Sequence, residues 1–154
     1  IKKLLIINSM TNIVTIVKLD NVQLYVDVEK KILFFDVLSS VYIKKNSIII
    51  LEYFKNFWLL AQEQNVKYFL IIKINSVGVY PLSFYNNLVE NLTSLNDIFI
   101  KHLHSCCFLC NDSNPINLLK PLFNMYNFLR PLHVCSKYEE ALVIFKDKNN
   151  ILID

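Results

Sequence analysis

The chain has 154 residues, of which 54% are hydrophobic and 19% are charged, and its formal net charge is +3. This length suits one globular domain with a substantial core, and the apolar content excludes an intrinsically disordered chain. The single glycine, Gly78, excludes Walker and GxGxxG phosphate-binding loops, which need several glycines where the backbone approaches phosphate. An excess of isoleucine and asparagine over alanine and arginine is typical of an AT-rich genome and indicates no particular chemistry.

The N-terminal part, at about residues 11–38, predicts an antiparallel hairpin. Its strands are expected at 11–19, 22–28 and 32–38, because these segments are rich in β-branched residues. Within 22–28 apolar residues alternate with polar ones, the period of a strand with one buried face. We expect the acidic side chains of this part to lie on its solvated face: Asp20, Asp27 and Asp36.

From about residue 47 to 146 the pattern alternates between helix and strand. Strands are predicted at 66–74, 105–110 and 132–135, and helices at 48–64, 84–99, 115–129 and about 137–146. Ser47, Ser83 and Asn114 are the expected N-caps of the first three helices. Right-handed crossovers make such a pattern a parallel sheet. The predicted fold is therefore a single α/β domain over 1–154, with a mixed sheet of four or five strands and about four helices.

This arrangement resembles a STAS domain, the fold of the anti-sigma-factor antagonists and of the cytoplasmic tails of sulfate transporters. The resemblance covers about residues 20–146 and rests on the strand pair, the apolar central strand at 66–74 and the end of the chain. There, a strand after Pro131 is followed by a capping box, Ser136-Lys-Tyr-Glu139, and by Glu140-Ala141-Leu142. The resemblance implies a non-catalytic protein-interaction or regulatory module with a protein partner.

The resemblance also identifies a switch position and a partner surface. In the antagonist branch, the loop after the central strand carries Asp-Ser-Ser-Gly, whose first serine is phosphorylated by a partner kinase. This motif aligns with Pro81-Leu82-Ser83-Phe84, so Leu82 occupies the phosphoacceptor position and the switch is lost. The family uses this region for partner contact, which predicts these partner-binding residues: Ser76, Val79, Tyr80, Ser83 and Tyr85.

The four cysteines lie in an apolar cluster, which is unlike a secreted disulfide framework and favours a reduced, cytoplasmic protein. Cys107 and Cys110 with His133 and Cys135 form an alternative zinc set. Because side chains alternate along a strand, however, Cys107 and Cys110 should point to opposite faces, while Cys106 and Cys110 share one. We expect buried thiols and neither a metal nor a cofactor. The zinc alternative stays open because a neighbouring parallel strand could bring Cys106 or Cys110 near Cys135.

Two other functional classes stay open. A small cysteine-dependent hydrolase or transferase would use Cys110 with His133 as its base. An apolar-ligand (lipid) site, similar to that of CRAL-TRIO domains, would use the aromatic side chains of the helices. The interaction module is the favoured interpretation, and it predicts no catalytic residue.

The remaining partner classes follow from charge and hydropathy. The lysines occur as scattered pairs without an arginine cluster, so we expect no nucleic-acid partner. Apolar runs are far shorter than the about 18 residues that a membrane span needs. The chain begins with Ile1 rather than Met, which predicts a fragment or a processed chain, and a homodimer stays open.

Overall fold

The computed structural model describes residues 6–7, 12–75, 80–110 and 115–151, and within these ranges the protein is an α/β domain with one mixed sheet. The strands are β1 (Ile6–Ile7), β2 (Ile13–Lys18), β3 (Val22–Asp27), β4 (Ile32–Val37), β5 (Tyr68–Ile74), β6 (Leu103–Cys110) and β7 (Leu132–Cys135). The helices are α1 (Lys44–Gln64), α2 (Leu82–Ser94), α3 (Asn96–His102), α4 (Pro115–Met125) and α5 (Tyr138–Ile151).

The predicted α/β class and the mixed sheet are confirmed, and the numbers of elements are slightly higher than predicted. The sheet has seven strands in the described residues, although β1 contributes only two residues. The helix predicted over 84–99 is divided at Leu95 into α2 and α3, which gives five helices. Leu95 is fully buried at this bend, so the break is compensated by packing.

The strands lie in the sheet in the order in which they occur in the chain. Strands β1 to β4 are antiparallel, and β4 to β7 are parallel. Each crossover between the parallel strands moves the chain one position in the same direction, and right-handed crossovers then place their helices on the same face. The main core accordingly lies between the sheet and α1–α4, and it includes Leu51, Phe54, Trp58 and Phe108.

Helix α5 follows the last strand and covers the other face of the sheet. A second, smaller core lies there, formed by Ile32, Phe34, Phe69 and Ile71 of the sheet with Ala141 and Phe145 of α5. The central strand β5 contributes to both cores, as its continuous apolar sequence indicates. The two ends of the sheet therefore differ: the carboxyl ends of β4–β7 form one edge, and their amino ends form the other.

Two predicted helix caps are wrong because they depend on backbone geometry that the residue types do not fix. Helix α1 begins at Lys44 with Ile43 as its N-cap, and Ser47 lies inside the first turn, where its hydroxyl donates to the Lys44 carbonyl at 2.8 Å. Helix α2 has Pro81 as its N-cap, so Ser83 is a residue of the first turn.

The other two predicted helix starts are closer to the structure. Helix α4 begins at Pro115, as predicted, and its expected cap Asn114 lies outside the described residues. Before helix α5, the amide and the hydroxyl of Ser136 both donate to the carboxylate of Glu140, so the acidic partner of Ser136 is Glu140 and not the predicted Glu139. None of the described helices is both long enough and apolar enough to cross a lipid bilayer.

Candidate functional site

The carboxyl edge of the parallel strands carries the candidate site. Strands β4 and β5 pair in parallel register, from Ile32 opposite Phe69 to Val37 opposite Ile74, so the segments that follow them leave the sheet side by side. In open α/β sheets this edge is where ligands commonly bind, because the crossovers splay apart there. The predicted partner segment, 76–83, follows β5 in the chain, and the structure describes its residues 80–83.

Three aromatic rings meet above the ends of β4 and β5, and we call them the aromatic rim: Tyr42, Tyr80 and Phe84. The centroid of Tyr42 lies 5.8 Å from that of Tyr80 and 5.7 Å from that of Phe84, and the Tyr80 and Phe84 centroids are 5.0 Å apart. The Tyr80 hydroxyl donates to the Ser39 carbonyl at 3.5 Å, and burial raises the pKa of Tyr80. The rim therefore joins the segments after β4 and β5 to the start of α2.

Exposed aliphatic side chains adjoin the aromatic rim in the chain. Val41, next to Tyr42, is 59% exposed, and Leu82, between Tyr80 and Phe84, is 66% exposed. Ile48, in the first turns of α1, is 52% exposed, and the preceding residue, Ser47, hydrogen-bonds to Tyr42 at 3.4 Å. Single exposed apolar residues are common, but three that neighbour rim residues or their hydrogen-bond partner in the chain make this region the candidate interaction surface.

An apolar cavity of about 130 Å³ lies below the aromatic rim, between the sheet and α1–α4. Its walls come from the main core and include Leu51, Phe54, Leu70, Ile72 and Phe99. Polar groups lie at its margins and are satisfied there. Asn21 donates to the Val41 carbonyl at 3.1 Å, and Arg130 donates to the carbonyls of Leu103 and His104 at 2.8 and 3.2 Å.

The predicted partner-binding residues are placed as follows. Tyr80 belongs to the aromatic rim and is half-buried, and Ser83 is exposed in the first turn of α2. Tyr85 is buried in the main core, so its ring is not part of the exposed surface. Ser76 and Val79 lie outside the described residues. Leu82, which the alignment placed at the phosphoacceptor position, is the most exposed large apolar side chain of the described residues.

The cysteines are distributed between the two faces of the sheet. Cys106 and Cys110 belong to the main core, whereas Cys107 and Cys135 belong to the second core, so the predicted alternation is confirmed. Cys135 has Cys107 as its neighbour on this face, so the approach of Cys106 or Cys110 that would have favoured the zinc alternative does not occur. Burial raises the pKa of Cys106, of Cys107 and of Cys110, which keeps these thiols protonated.

His133 pairs in register with Cys107 on the neighbouring strand, and paired residues of a parallel sheet share a face. His133 and Cys110 are therefore on opposite faces, which separates the nucleophile and the base of the cysteine-dependent alternative. The alternative zinc set is divided in the same way, since Cys110 faces away from Cys107 and Cys135. Within the described ranges, no group of three or more His, Cys, Asp or Glu side chains is arranged to hold a metal ion.

Asp36 was predicted to lie on the solvated face, but it is the centre of a buried polar cluster. Asp36 and Asp27 are both buried. The Gln23 amide donates to Asp36 at 3.0 Å, and the Lys73 ammonium lies 3.8 Å from the same carboxylate oxygen. Burial raises the pKa of Asp36, while the Gln23 hydrogen bond and the Lys73 charge oppose this rise. Asp36 alternates with Ile32 and Phe34 along β4, and this spacing was the signal for its burial.

Comparison of the chain with protein-family models, with curated proteins and with solved structures finds no match.

Proposed function

We propose that this chain is a non-catalytic protein-interaction module that binds its partner through the aromatic rim and the exposed aliphatic residues around it. The observation that carries the proposal is the exposure of Val41 and Leu82, which flank rim residues in the chain, and of Ile48, which follows the Ser47 hydroxyl bonded to Tyr42. Aromatic and aliphatic side chains of this kind supply the central contacts of protein interfaces. The STAS resemblance supports the same region, since it assigns partner contact to the segment between β5 and α2.

Leu82 indicates which kind of contact the partner makes. A leucine at the family's phosphoacceptor position cannot be switched by a kinase, and its exposure offers an apolar group to a partner. We therefore propose constitutive binding, in which the partner covers Leu82 and the aromatic rim. Burial of one leucine side chain contributes about 1.5–3 kcal/mol, which is roughly a 10-fold to 150-fold change in affinity.

The test compares Leu82 with Val143, which is 60% exposed on α5 at the opposite face of the sheet. A photo-crosslinking amino acid at position 82 should give a specific protein adduct in cells, and the same probe at 143 should not. With the identified partner purified, Leu82→Glu should weaken binding at least about tenfold, and Val143→Glu should leave it unchanged. Equal adducts at both positions, or equal affinity of both variants, would contradict the proposal.

A second candidate function is the binding of a small apolar molecule in the cavity. The cavity volume of about 130 Å³ is close to that of engineered apolar cavities that stay dry and bind benzene. It is below the roughly 300 Å³ at which ligand pockets usually begin, so a small apolar molecule fits it better than a lipid chain does. Benzene should raise the thermal unfolding midpoint of the protein, and a midpoint that does not change would exclude this function.

A further inference from the structure

A concave basic surface lies at the amino ends of β4–β6, on the edge of the sheet opposite the candidate site. It is open to solvent, has a volume of about 800 Å³ and lies between the turn before β4, the segment before β5 and helix α5. Four lysines from these three parts of the chain line it, and we call it the basic groove: Lys30, Lys31, Lys67 and Lys146 with His104. Its volume is within the range of small-molecule sites, which is about 300–1,000 Å³.

The floor of the basic groove is apolar and aromatic. Phe69 of β5 is stacked between two other rings, with Phe145 of α5 at a centroid distance of 4.2 Å and His104 of β6 at 4.6 Å. Ile32 and Leu142 extend this apolar floor. Phe69, Phe145 and Ile32 are themselves buried, so the apolar surface that the groove presents comes from the partly exposed side chains of His104 and Leu142. This surface lies among ammonium groups, an arrangement that matches an organic anion better than an inorganic one.

The lysine charges are only partly compensated. Lys30 lies 3.8 Å from Asp27 and 5.9 Å from the centroid of the Tyr138 ring. Lys31, Lys67 and Lys146 are exposed and have no carboxylate within 4 Å in the described part of the chain. Glu29 is the one acidic residue among the lining residues that the structure describes, and its carboxylate accepts a hydrogen bond from Asn12.

His104 on the floor lies close to several positive charges. Burial lowers the pKa of His104 to about 4, and neighbouring positive charges add to this decrease. These charges belong to Lys67, Arg130 and Lys31. A protonated imidazole would thus add to the positive charge of Lys31 and Lys67, and a bound anion would offset that charge.

The backbone around the groove is fixed in an unusual conformation. Lys31 and Asn65 are the two non-glycine residues with positive φ in the described chain, at 55° and 52°, and both line the groove. The Lys31 carbonyl accepts a hydrogen bond from the Phe69 amide at 2.9 Å, which holds this strained turn against β5. The carbonyl end of α1 is capped by the amides of Asn65 and Val66, which reduces its repulsion of an anion.

We propose that the basic groove binds a small phosphorylated organic molecule, with its phosphate on the lysines and its apolar part on the exposed portions of His104 and Leu142. Lysine ammonium groups bind phosphate as point charges, and three uncompensated ones suit a dianion. A concavity of this size favours a small molecule over a nucleic acid, which is normally bound by an extended basic stripe rich in arginine. Arg130, the chain's one arginine, is already hydrogen-bonded to backbone carbonyls.

The test uses three probes that separate the two parts of the ligand: inorganic phosphate, 1-naphthol and 1-naphthyl phosphate. By calorimetry at low salt, 1-naphthyl phosphate should bind at least about tenfold more tightly than either of the other two, because it alone contacts both lysines and floor. In NMR titrations it should raise the pKa of His104. Binding of 1-naphthyl phosphate no tighter than that of inorganic phosphate would overturn the proposal.

Two sets of lysine variants with the same change in net charge distinguish binding in the groove from a general effect of net charge. Lys31→Gln, Lys67→Gln and Lys146→Gln combined should weaken 1-naphthyl phosphate binding by about tenfold or more. The control combines Lys44→Gln, Lys45→Gln and Lys55→Gln, three exposed lysines of α1, and should change binding less than about twofold. Equal losses in the two variants would overturn the proposal, as would tighter groove-dependent binding of duplex DNA or of anionic phospholipid vesicles. Circular dichroism checks that both variants are folded, and Leu82→Glu should leave binding of the probe unchanged.

Discussion

Replacing His104 with phenylalanine should remove an acid-sensitive contribution to stability. The His104 ring stacks on Phe69 at a centroid distance of 4.6 Å, and a phenyl ring can keep this stacking without a titratable group. In the folded protein the pKa of His104 is lowered from 6.5 to about 4, first by burial and then by nearby positive charges. The unfolded chain therefore binds a proton more readily than the folded protein between these two values.

The sign and the size of the effect follow from this pKa difference. The stabilisation is fully present above the unfolded pKa of 6.5, and it is lost as the pH falls towards about 4. A difference of about 2.5 units at about 1.36 kcal/mol per unit gives an upper limit of about 3.4 kcal/mol. Because the ring is only half-buried and solvent screens its neighbours, we expect about 1–2 kcal/mol.

The assay is urea denaturation of the wild-type protein and of His104→Phe, followed by circular dichroism at about pH 7 and about pH 4.5. Between these values, the free energy of unfolding should fall by about 1–2 kcal/mol more in the wild type than in the variant. Lys67→Gln should reduce the wild-type loss, because it removes a charge that lowers the pKa of His104. Lys55→Gln on α1 is the control and should not reduce it. An equal loss in wild type and His104→Phe would refute the reasoning.

Three further predictions concern the buried groups. Because burial raises the pKa of Asp36, the charged form is disfavoured in the fold, and stability should fall as the pH rises through the folded pKa. Asp36→Asn should lack this decrease, so its free energy of unfolding relative to wild type should rise from about pH 4 to 7 in urea titrations. A difference between variant and wild type that does not change with pH would contradict the raised pKa of Asp36. Val22→Ile adds a methyl group to the cavity wall and should raise the free energy of unfolding by about 0.5–1 kcal/mol, whereas overpacking would lower it. All four cysteines are buried, so a thiol reagent at neutral pH should label none of them in the native protein and all four in urea. Rapid labelling of Cys110 in the native protein would instead support the cysteine-dependent alternative.

Local patterns in the sequence were sufficient for the main features of the fold. The alternation in 22–28 and the continuous apolar segment at 66–74 correspond to β3 and β5, since the period of buried residues is a direct consequence of backbone geometry. The division of the cysteines between two faces followed from the same period. Helix starts were less predictable, because Ser47 and Ser83 have side chains suited to capping but lie inside helices whose first residues are set by packing.

The region of the aromatic rim was partly predicted from the sequence, whereas the basic groove was not. The proposed partner surface near Tyr80 and Ser83 was predicted from one continuous segment of the chain, although the burial of Tyr85 depends on how α2 packs. The basic groove could not be found, because Lys31, Lys67 and Lys146 are far apart in the chain and each resembles an ordinary solvated residue. The burial of Asp36 was missed for a related reason: the face of β4 that is covered depends on α5, more than 100 residues later.

The composition by itself determined what this protein lacks: one glycine leaves no glycine-rich phosphate loop, and a single arginine leaves no arginine cluster. The sequence also determined the kind of each major element, because periodicity is local. Only the tertiary structure decided which side chains meet. Successive right-handed crossovers bring the amino ends of β4, β5 and β6 together, and with them lysines from three separate parts of the chain. An anion site can therefore form without the glycine-rich loop that the composition excluded.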